Sequence, residues 1–244
     1  MKINLSIGSV LFLLLLNSCV GNTEEYGKKP LNLDQFNFDL NIEKFFQNED
    51  IFRGNSDFNV SVNEEWISQD SIDMGYINYS TGSMSQDRPL AKFAGVSFES
   101  LGIITDWEDE KAIMAYANTS YATPQNITSI LDKLIKDFGN PELHPEGFRG
   151  EGVNFKFIEK SKIITFSLPI NYALPEPERN YGNSYYDAPS EPKQIYLTDE
   201  IYAEMKKIMA DDEEMNCYLF ITTPSFDAAL QAANMFSGDL THYR

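Results

Sequence analysis

Thiol and imidazole side chains are the groups in this chain best suited to nucleophilic or metal chemistry, and they are few. The sequence holds two cysteines, Cys19 and Cys217, and two histidines, His144 and His242. Cys217 lies in an apolar run, residues 216–221, which predicts a buried strand with a small unreactive thiol. A nucleophilic cysteine needs an adjacent base, and His144 falls in a His-Pro-Glu-Gly sequence that predicts an exposed turn. Without paired cysteines or clustered histidines, we expect no metal site and no cofactor.

Carboxylates are the most abundant ionisable groups, with 37 Asp and Glu residues among 244. Asp106, Glu108 and Glu110 alternate, so they would share one face of an extended chain, and carboxylates on one face can bind calcium. The spacing is not that of an EF-hand loop, so we expect a solvated hairpin tip instead. No Gly-x-Ser-x-Gly, His-Glu-x-x-His, phosphate-loop or dinucleotide motif occurs. We therefore expect no enzymatic activity, with a hydrolase that uses two carboxylates as the catalytic alternative.

Aromatic side chains are frequent in a segment rich in proline and tyrosine, residues 169–192. Irregular segments of this length are uncommon in compact domains unless they are functional or disordered. Tyrosine and tryptophan provide large contact areas and are enriched in binding surfaces. The expected recognition surface comprises Trp107, Tyr172, Tyr181, Tyr185 and Tyr186. The alternative is an insertion that packs some of these tyrosines on its own domain.

The N-terminal residues have the form of a secretory signal. Lys2 precedes an unbroken apolar run, residues 10–16, which is too short to span a bilayer as a helix. The sequence Leu16-Asn17-Ser18-Cys19 closes the run and resembles the lipobox of bacterial lipoproteins, in which the cysteine is acylated and becomes the mature N-terminus. The resemblance implies a signal peptide over residues 1–18 and lipidation of Cys19. It also implies a tether over residues 19–30, a stretch that is polar and rich in turn-forming residues.

Residues close to Cys19 indicate which membrane would hold the anchor. Val20 stands where enteric lipoproteins retained in the inner membrane have Asp, so the resemblance implies an outer-membrane lipoprotein. Glu24 and Glu25 are similar to the surface-export signal of Bacteroidota lipoproteins. We therefore expect attachment to an outer membrane through Cys19, with the protein facing the periplasm or lying on the cell surface.

Composition indicates a folded, strongly acidic domain. Hydrophobic residues make up 42% of the chain and aromatic residues 13%, as in globular proteins. The formal net charge of −18 disfavours binding to nucleic acids and anionic lipids, because their phosphates would be repelled. The same charge is compatible with a basic protein partner or with cations, and also with simple solubility.

Periodicity predicts an α+β fold, a mostly antiparallel sheet with two to three helices packed on one face. The clearest helix is 124–138, with Thr123 as its cap and apolar residues at steps of three and four. Further helices are expected over residues 199–209 and 225–236. The strand candidates are residues 58–62, 75–80, 92–105, 111–119, 154–158, 162–168, 194–197 and 216–221. The order of helix, Gly-x-Pro stop and hairpin is similar to small α+β modules in uncharacterised Bacteroidota envelope lipoproteins.

A single domain over residues 31–244 is favoured, and a division near residue 120 is the alternative. We expect a lipid-anchored envelope protein that binds another macromolecule, either as an adaptor or as an immunity protein whose negative charge suits a basic toxin surface. A glycan-binding lipoprotein of an uptake system is the alternative of a different class. A protein partner is expected, and nucleic acid is not.

Overall fold

The computed structural model describes residues 25–47, 60–69, 72–81, 88–108, 110–146, 152–170, 172, 174, 194–233 and 238–243. The strands are β1 (Leu31–Asn32), β2 (Val60–Gln69), β3 (Ile72–Thr81), β4 (Ala91–Phe93), β5 (Val96–Phe98), β6 (Ser100–Asp106), β7 (Ala112–Ala122), β8 (Glu142–Glu146), β9 (Gly152–Ile158), β10 (Ile163–Leu168), β11 (Ile195–Tyr196) and β12 (Met215–Thr222). The helices are α1 (Ile42–Phe45), α2 (Pro124–Phe138), α3 (Asp199–Met209) and α4 (Pro224–Ala233), with 3-10 turns at Leu33–Gln35 and Gly238–His242. Among these helices none has the length and apolar character needed to cross a membrane.

Nine strands form the main sheet, in the order β11-β8-β9-β10-β12-β7-β6-β3-β2, and every neighbouring pair is antiparallel. β12 lies between β10 and β7 and joins the strands on either side of it. Residue 120 falls within β7, so the sheet continues on both sides of the position considered for a domain division. A second sheet has three short strands in the order β1-β4-β5. The mostly antiparallel α+β fold predicted from the sequence is confirmed.

Both faces of the main sheet are covered, because its central strands carry apolar side chains on both sides. Alternation places neighbouring residues on opposite faces, so Ile103 belongs to one apolar cluster and Ile104 to the other. The first cluster includes Leu131 of α2 and Met205 of α3. The second includes Phe226 of α4. The helices therefore lie on both faces, and the expectation that they all pack on one face does not hold for α4.

The longest helix, α2, has the bounds that its sequence signals predict. Thr123 Oγ1 accepts a hydrogen bond from the Asn126 N–H at 3.2 Å, and Asn126 Oδ1 accepts one from the Thr123 N–H at 3.0 Å. This reciprocal pair satisfies two backbone donors that the helix itself leaves free. Gly139, with a φ of 84°, ends the helix in a conformation that favours glycine. The apolar stripe of α2 packs on the first face of the sheet.

The N-terminal part of the described chain also covers the first face. Tyr26 is buried, its N–H donates to the carbonyl of Phe45 at 2.8 Å, and its ring packs against Phe45 and Phe46. Phe46 in turn stacks on Tyr79 of β3, with 5.4 Å between the ring centroids. Tyr26 is therefore part of the folded structure, although residues 19–30 were expected to form a tether.

Two local predictions are wrong in detail. The extended segment expected over residues 92–105 is divided, because Ala94 and Gly95, with φ of 52° and 79°, form a tight turn between β4 and β5. β5 and β6 then belong to different sheets. His144 does not lie in a turn but in β8, where it pairs with Asn154 of β9. Pro145 is tolerated in that strand because the short β11 pairs only with the two residues at the other end of β8.

Candidate functional site

The tryptophans of the chain, Trp66 and Trp107, meet on the surface near one edge of the main sheet. Trp66 lies on β2, the outermost strand, and is 57% exposed, while Trp107 follows β6 and is 41% exposed. Their rings form an edge-to-face pair with centroids 6.2 Å apart. The indole N–H of Trp66 also donates to Asp73 Oδ1 at 2.5 Å. We call Trp66 and Trp107 the tryptophan pair.

Gly75 on β3 brings the two tryptophans together. It pairs with Trp66 across the β2–β3 ladder, and a Cβ atom at this position would lie only 2.4 Å from the Trp66 ring. The bare backbone therefore leaves room for the indole to lie over β3, an arrangement in which an aromatic residue covers a strand glycine. The backbone N–H of Trp107 donates to the carbonyl of Gly75 at 3.3 Å, which holds the Trp107 backbone next to β3, where its indole contacts that of Trp66.

The acidic hairpin tip between β6 and β7 forms as predicted, but the chain turns there and does not have the extended form that would align the carboxylates. The Asp106 carboxylate accepts a hydrogen bond from the Glu108 N–H at 2.8 Å, and so acts within the turn. Glu110 has a φ of 52°, and its N–H donates to the Asp106 carbonyl at 3.1 Å. Among the described residues, no group of three or more His, Cys, Asp or Glu side chains is placed to hold a metal ion. The described carboxylates of the tip therefore give no support to a calcium site.

A cleft of about 460 Å³ lies between the hairpin tip and the segment that leads into α1. Glu110 and Lys111 contribute one wall, and residues 38–43 contribute the other. The volume lies in the range of small-ligand sites, about 300–1,000 Å³. Asp39, Glu43 and Glu110 outnumber Lys111 in the lining, so the cleft is acidic overall. The hairpin that carries Trp107 therefore also forms a wall of this cleft.

Tyr172 does not join Trp107 in a recognition surface. Its side chain is only 9% exposed and belongs to the first apolar cluster. Its hydroxyl donates to Glu204 Oε2 of α3 at 3.2 Å, and burial, followed by the Glu204 carboxylate, raises the pKa of this phenol. Tyr172 is thus a core residue that anchors the start of the Pro/Tyr segment. Tyr181, Tyr185 and Tyr186 lie outside the described residues, as does Cys19.

A buried polar cluster on the second face contains the arrangement that most resembles catalytic machinery. Asp227 of α4 accepts two hydrogen bonds from the Lys156 ammonium of β9, both at 3.0 Å, and one from the Tyr243 hydroxyl at 2.5 Å. Next to this triad is a cavity of about 50 Å³, lined by His144, Asn154, Lys156, Thr165, Gln231 and Tyr243. Sequence reasoning missed the cluster because its members come from separate elements that are distant along the chain.

The polar cluster has room for water but not for an organic substrate. A single water needs about 10–15 Å³ of cavity volume, so the cavity of about 50 Å³ holds only a few waters. Burial, together with the nearby Lys156 charge, lowers the pKa of His144. Asp227 is already engaged by Lys156 and Tyr243. The geometry of the cluster is therefore that of a polar link between α4 and the sheet.

Cys217 lies in β12 as predicted and is completely buried. Burial, with a further contribution from the Glu99 carboxylate, raises the pKa of its thiol well above the usual range. Since the thiolate is the nucleophilic form of cysteine, this environment makes the side chain unreactive.

Comparison with known proteins identifies no relative of this chain. No family model matches the chain, and neither a curated protein nor a solved structure matches it. The tryptophan pair, the acidic cleft and the polar cluster are therefore interpreted from their own geometry.

Proposed function

We propose that this protein is a lipid-anchored cell-envelope protein that binds another macromolecule and does not act as an enzyme, with the tryptophan pair as the centre of its contact surface. The exposure of both indoles is the observation that supports this role. Tryptophan is among the residues most enriched where binding energy is concentrated. Two such side chains held together at the surface by Gly75 provide a preorganised apolar contact.

The edge of the sheet next to the pair supports a protein partner. β2 is a ten-residue strand at the end of the sheet order, and no described strand pairs with its outer side. An extended segment of a partner could add to such an edge, with main-chain hydrogen bonds supplying affinity and side-chain contacts supplying specificity. Glu64 lies on the same face of β2 as Trp66, and Asp73 accepts a hydrogen bond from the Trp66 indole, so both place negative charge beside the pair. We therefore propose an extended, basic segment as the partner, which suits either the adaptor or the immunity role.

A glycan is the second candidate ligand, supported by the acidic cleft beside the hairpin that carries Trp107. Aromatic faces stack on the apolar faces of sugar rings, while Asp39, Glu43 and Glu110 could accept hydrogen bonds from hydroxyl groups in the cleft. This ligand would use Trp107 together with the cleft and would not require the edge of β2.

The test of the binding surface is a capture experiment with matched variants. A chain that begins at Val20 keeps every residue for which the structure describes a contact. It would be immobilised and exposed to solubilised envelope and secreted proteins, and the bound proteins identified by mass spectrometry. We expect Trp66→Ala and Trp107→Ala each to weaken a stoichiometric partner by about 30-fold, the factor that corresponds to a loss of about 2 kcal/mol.

The control is Tyr196→Ala, which removes an aromatic side chain of similar exposure, 48%, from β11 at the opposite end of the sheet. A partner retained equally by all three variants would show that the tryptophan pair is not the contact surface. Loss of binding to a glycan array in Trp107→Ala but not in Trp66→Ala would favour the second candidate. The anchor is tested separately: Cys19→Ala in the full chain should abolish membrane fractionation, and a variant that still sediments with membranes would contradict the anchor.

A further inference from the structure

One cavity is lined by basic residues, although the protein as a whole is strongly acidic. Its volume is about 570 Å³, and its lining is formed by Gly27, Lys28, Lys29, Pro30, Arg88, Pro89, Leu90 and Lys92. The chain has only 19 Lys and Arg residues against 37 Asp and Glu, yet four cationic side chains and no carboxylate are among the described residues that line this cavity. We call it the basic cavity.

The backbone beneath the basic cavity is held in place by hydrogen bonds between two segments that are distant in sequence. The Leu31 N–H donates to the Leu90 carbonyl at 2.9 Å, and the Leu90 N–H donates to the Phe98 carbonyl at 2.8 Å. β1 and β4 run in parallel immediately beyond, with Leu31 opposite Ala91, and both of these residues are completely buried. The cations therefore project from a base that is fixed to the apolar core.

The cationic charge in the cavity is only partly compensated within the described structure. Lys28 forms an ion pair with Glu25, and Arg88 also has an interaction partner. No carboxylate among the described residues pairs with Lys29 or Lys92. Like charges brought together repel each other, and a bound anion relieves that repulsion. The arrangement therefore favours a ligand that brings negative charge to the cavity.

We propose that the basic cavity binds the phosphate group of an anionic ligand. The lysine ammonium is a compact positive charge that binds phosphate, and Lys29 and Lys92 bring two such charges to the cavity. The volume of about 570 Å³ has room for the group to which the phosphate is attached. This site is separate from the tryptophan pair, and its ability to bind phosphate does not depend on the proposed partner.

The phosphate could belong to a lipid headgroup or to a free compound, and the short distance along the chain from Cys19 to the cavity makes a headgroup accessible. Lys28 follows Cys19 by nine residues, and a chain of that length reaches at most about 30 Å. If Cys19 carries the anchor of the proposed function, anionic lipid headgroups lie within this reach. Lysine and arginine side chains near an anionic membrane surface reinforce a lipid anchor. A free phosphate compound is the other source of the same chemistry.

The experiment uses the chain that begins at Val20, which has no Cys19 and so measures the cavity without the anchor. One arm measures co-sedimentation with phosphatidylcholine vesicles with and without phosphatidylglycerol. The other arm titrates inorganic phosphate and pyrophosphate by calorimetry at constant ionic strength. We expect Lys29→Gln combined with Lys92→Gln to weaken binding about 30-fold, since each cation near an anionic surface contributes about fivefold.

The matched control is Lys160→Gln combined with Lys207→Gln, which removes the same charge from exposed positions elsewhere. Loss of binding only in the cavity variant supports the proposal: loss in the vesicle arm identifies a lipid headgroup, and loss in the calorimetric arm identifies a free ligand. Absence of binding in both arms, or equal weakening by both pairs of substitutions, would overturn it. An unchanged urea midpoint in both variants would exclude unfolding as the cause. Because the anchor is absent throughout, a negative result leaves the proposed function standing.

Discussion

Replacement of Asp227 by asparagine is the perturbation whose cost can be worked out most directly from the structure. The Asp227 and Lys156 side chains are only 11% and 15% exposed, with two contacts at 3.0 Å between them. Asp227→Asn leaves the Lys156 ammonium buried without an opposite charge, a situation that typically costs about 3–5 kcal/mol. We expect about 3 kcal/mol, the lower end of that range, because Lys156 retains some solvent contact and the amide oxygen of the new side chain still accepts from the Tyr243 hydroxyl.

Urea denaturation followed by circular dichroism measures this cost as a lower midpoint with an unchanged slope. Lys156→Met combined with Asp227→Asn is the control, because removal of both charges should restore part of the lost stability. A loss of less than about 1 kcal/mol for Asp227→Asn, the size found for exposed pairs, would refute the reasoning. It would mean that water screens the pair and that α4 is held to the sheet by apolar contacts alone.

Two further predictions concern single positions. Gly102→Ala should destabilise the protein by about 1–3 kcal/mol through overpacking, because its Cβ would lie 2.0 Å from the ring of buried Tyr116; a urea midpoint equal to that of the parent would show that the ring moves aside. The pKa of His144 is lowered by burial and by Lys156, so the unfolded chain binds its proton more readily. The contribution of neutral His144 to the free energy of unfolding is complete above about pH 6.5, the usual pKa of histidine. It is lost as the pH falls through the lowered pKa of His144 in the folded protein. His144→Gln should therefore lose less stability than the parent between about pH 7 and pH 5, and parallel urea midpoints over that range would contradict the assignment.

Local signals in the sequence are sufficient to predict the two longest helices. Thr123, Pro124 and Gly139 mark the ends of α2 by capping and by backbone conformation, and the structure has the predicted bounds. Thr198 marks the start of α3 in the same way, since its side chain accepts from the N–H of Ile201. Each of these signals acts over three or four residues, so a single sequence reveals it.

Strand order cannot be predicted in the same way because it depends on contacts between distant residues. Nothing local to residues 215–222 indicates that β12 lies between β7 and β10. The placement of helices on both faces of the sheet escapes prediction for a related reason: α4 has an apolar side, but the sequence does not say which face that side meets.

The candidate site is predictable only in part. The sequence singles out Trp107 but not its neighbour Trp66, because the pairing of Trp66 with Gly75 requires the register of the β2–β3 hairpin. That register follows from the pairing of Gln69 with Ile72, which the sequence alone does not reveal. The tyrosine-rich surroundings of Tyr172 favour a surface role, whereas its actual environment is set by the contact with α3.

The central place of β12 has a consequence for how the protein reaches its folded state. β12 is the last described strand along the chain, yet β7 and β10 each pair with it along one of their two sides. A chain that emerges with its N-terminus first would therefore hold two incomplete sheets with open inner edges until residues 215–222 arrive. Exposed edges of this kind invite pairing with other chains, and closure through distant contacts is slow. If the chain is exported as proposed, we expect envelope chaperones to bind the unpaired edges of β7 and β10 until β12 pairs with both strands.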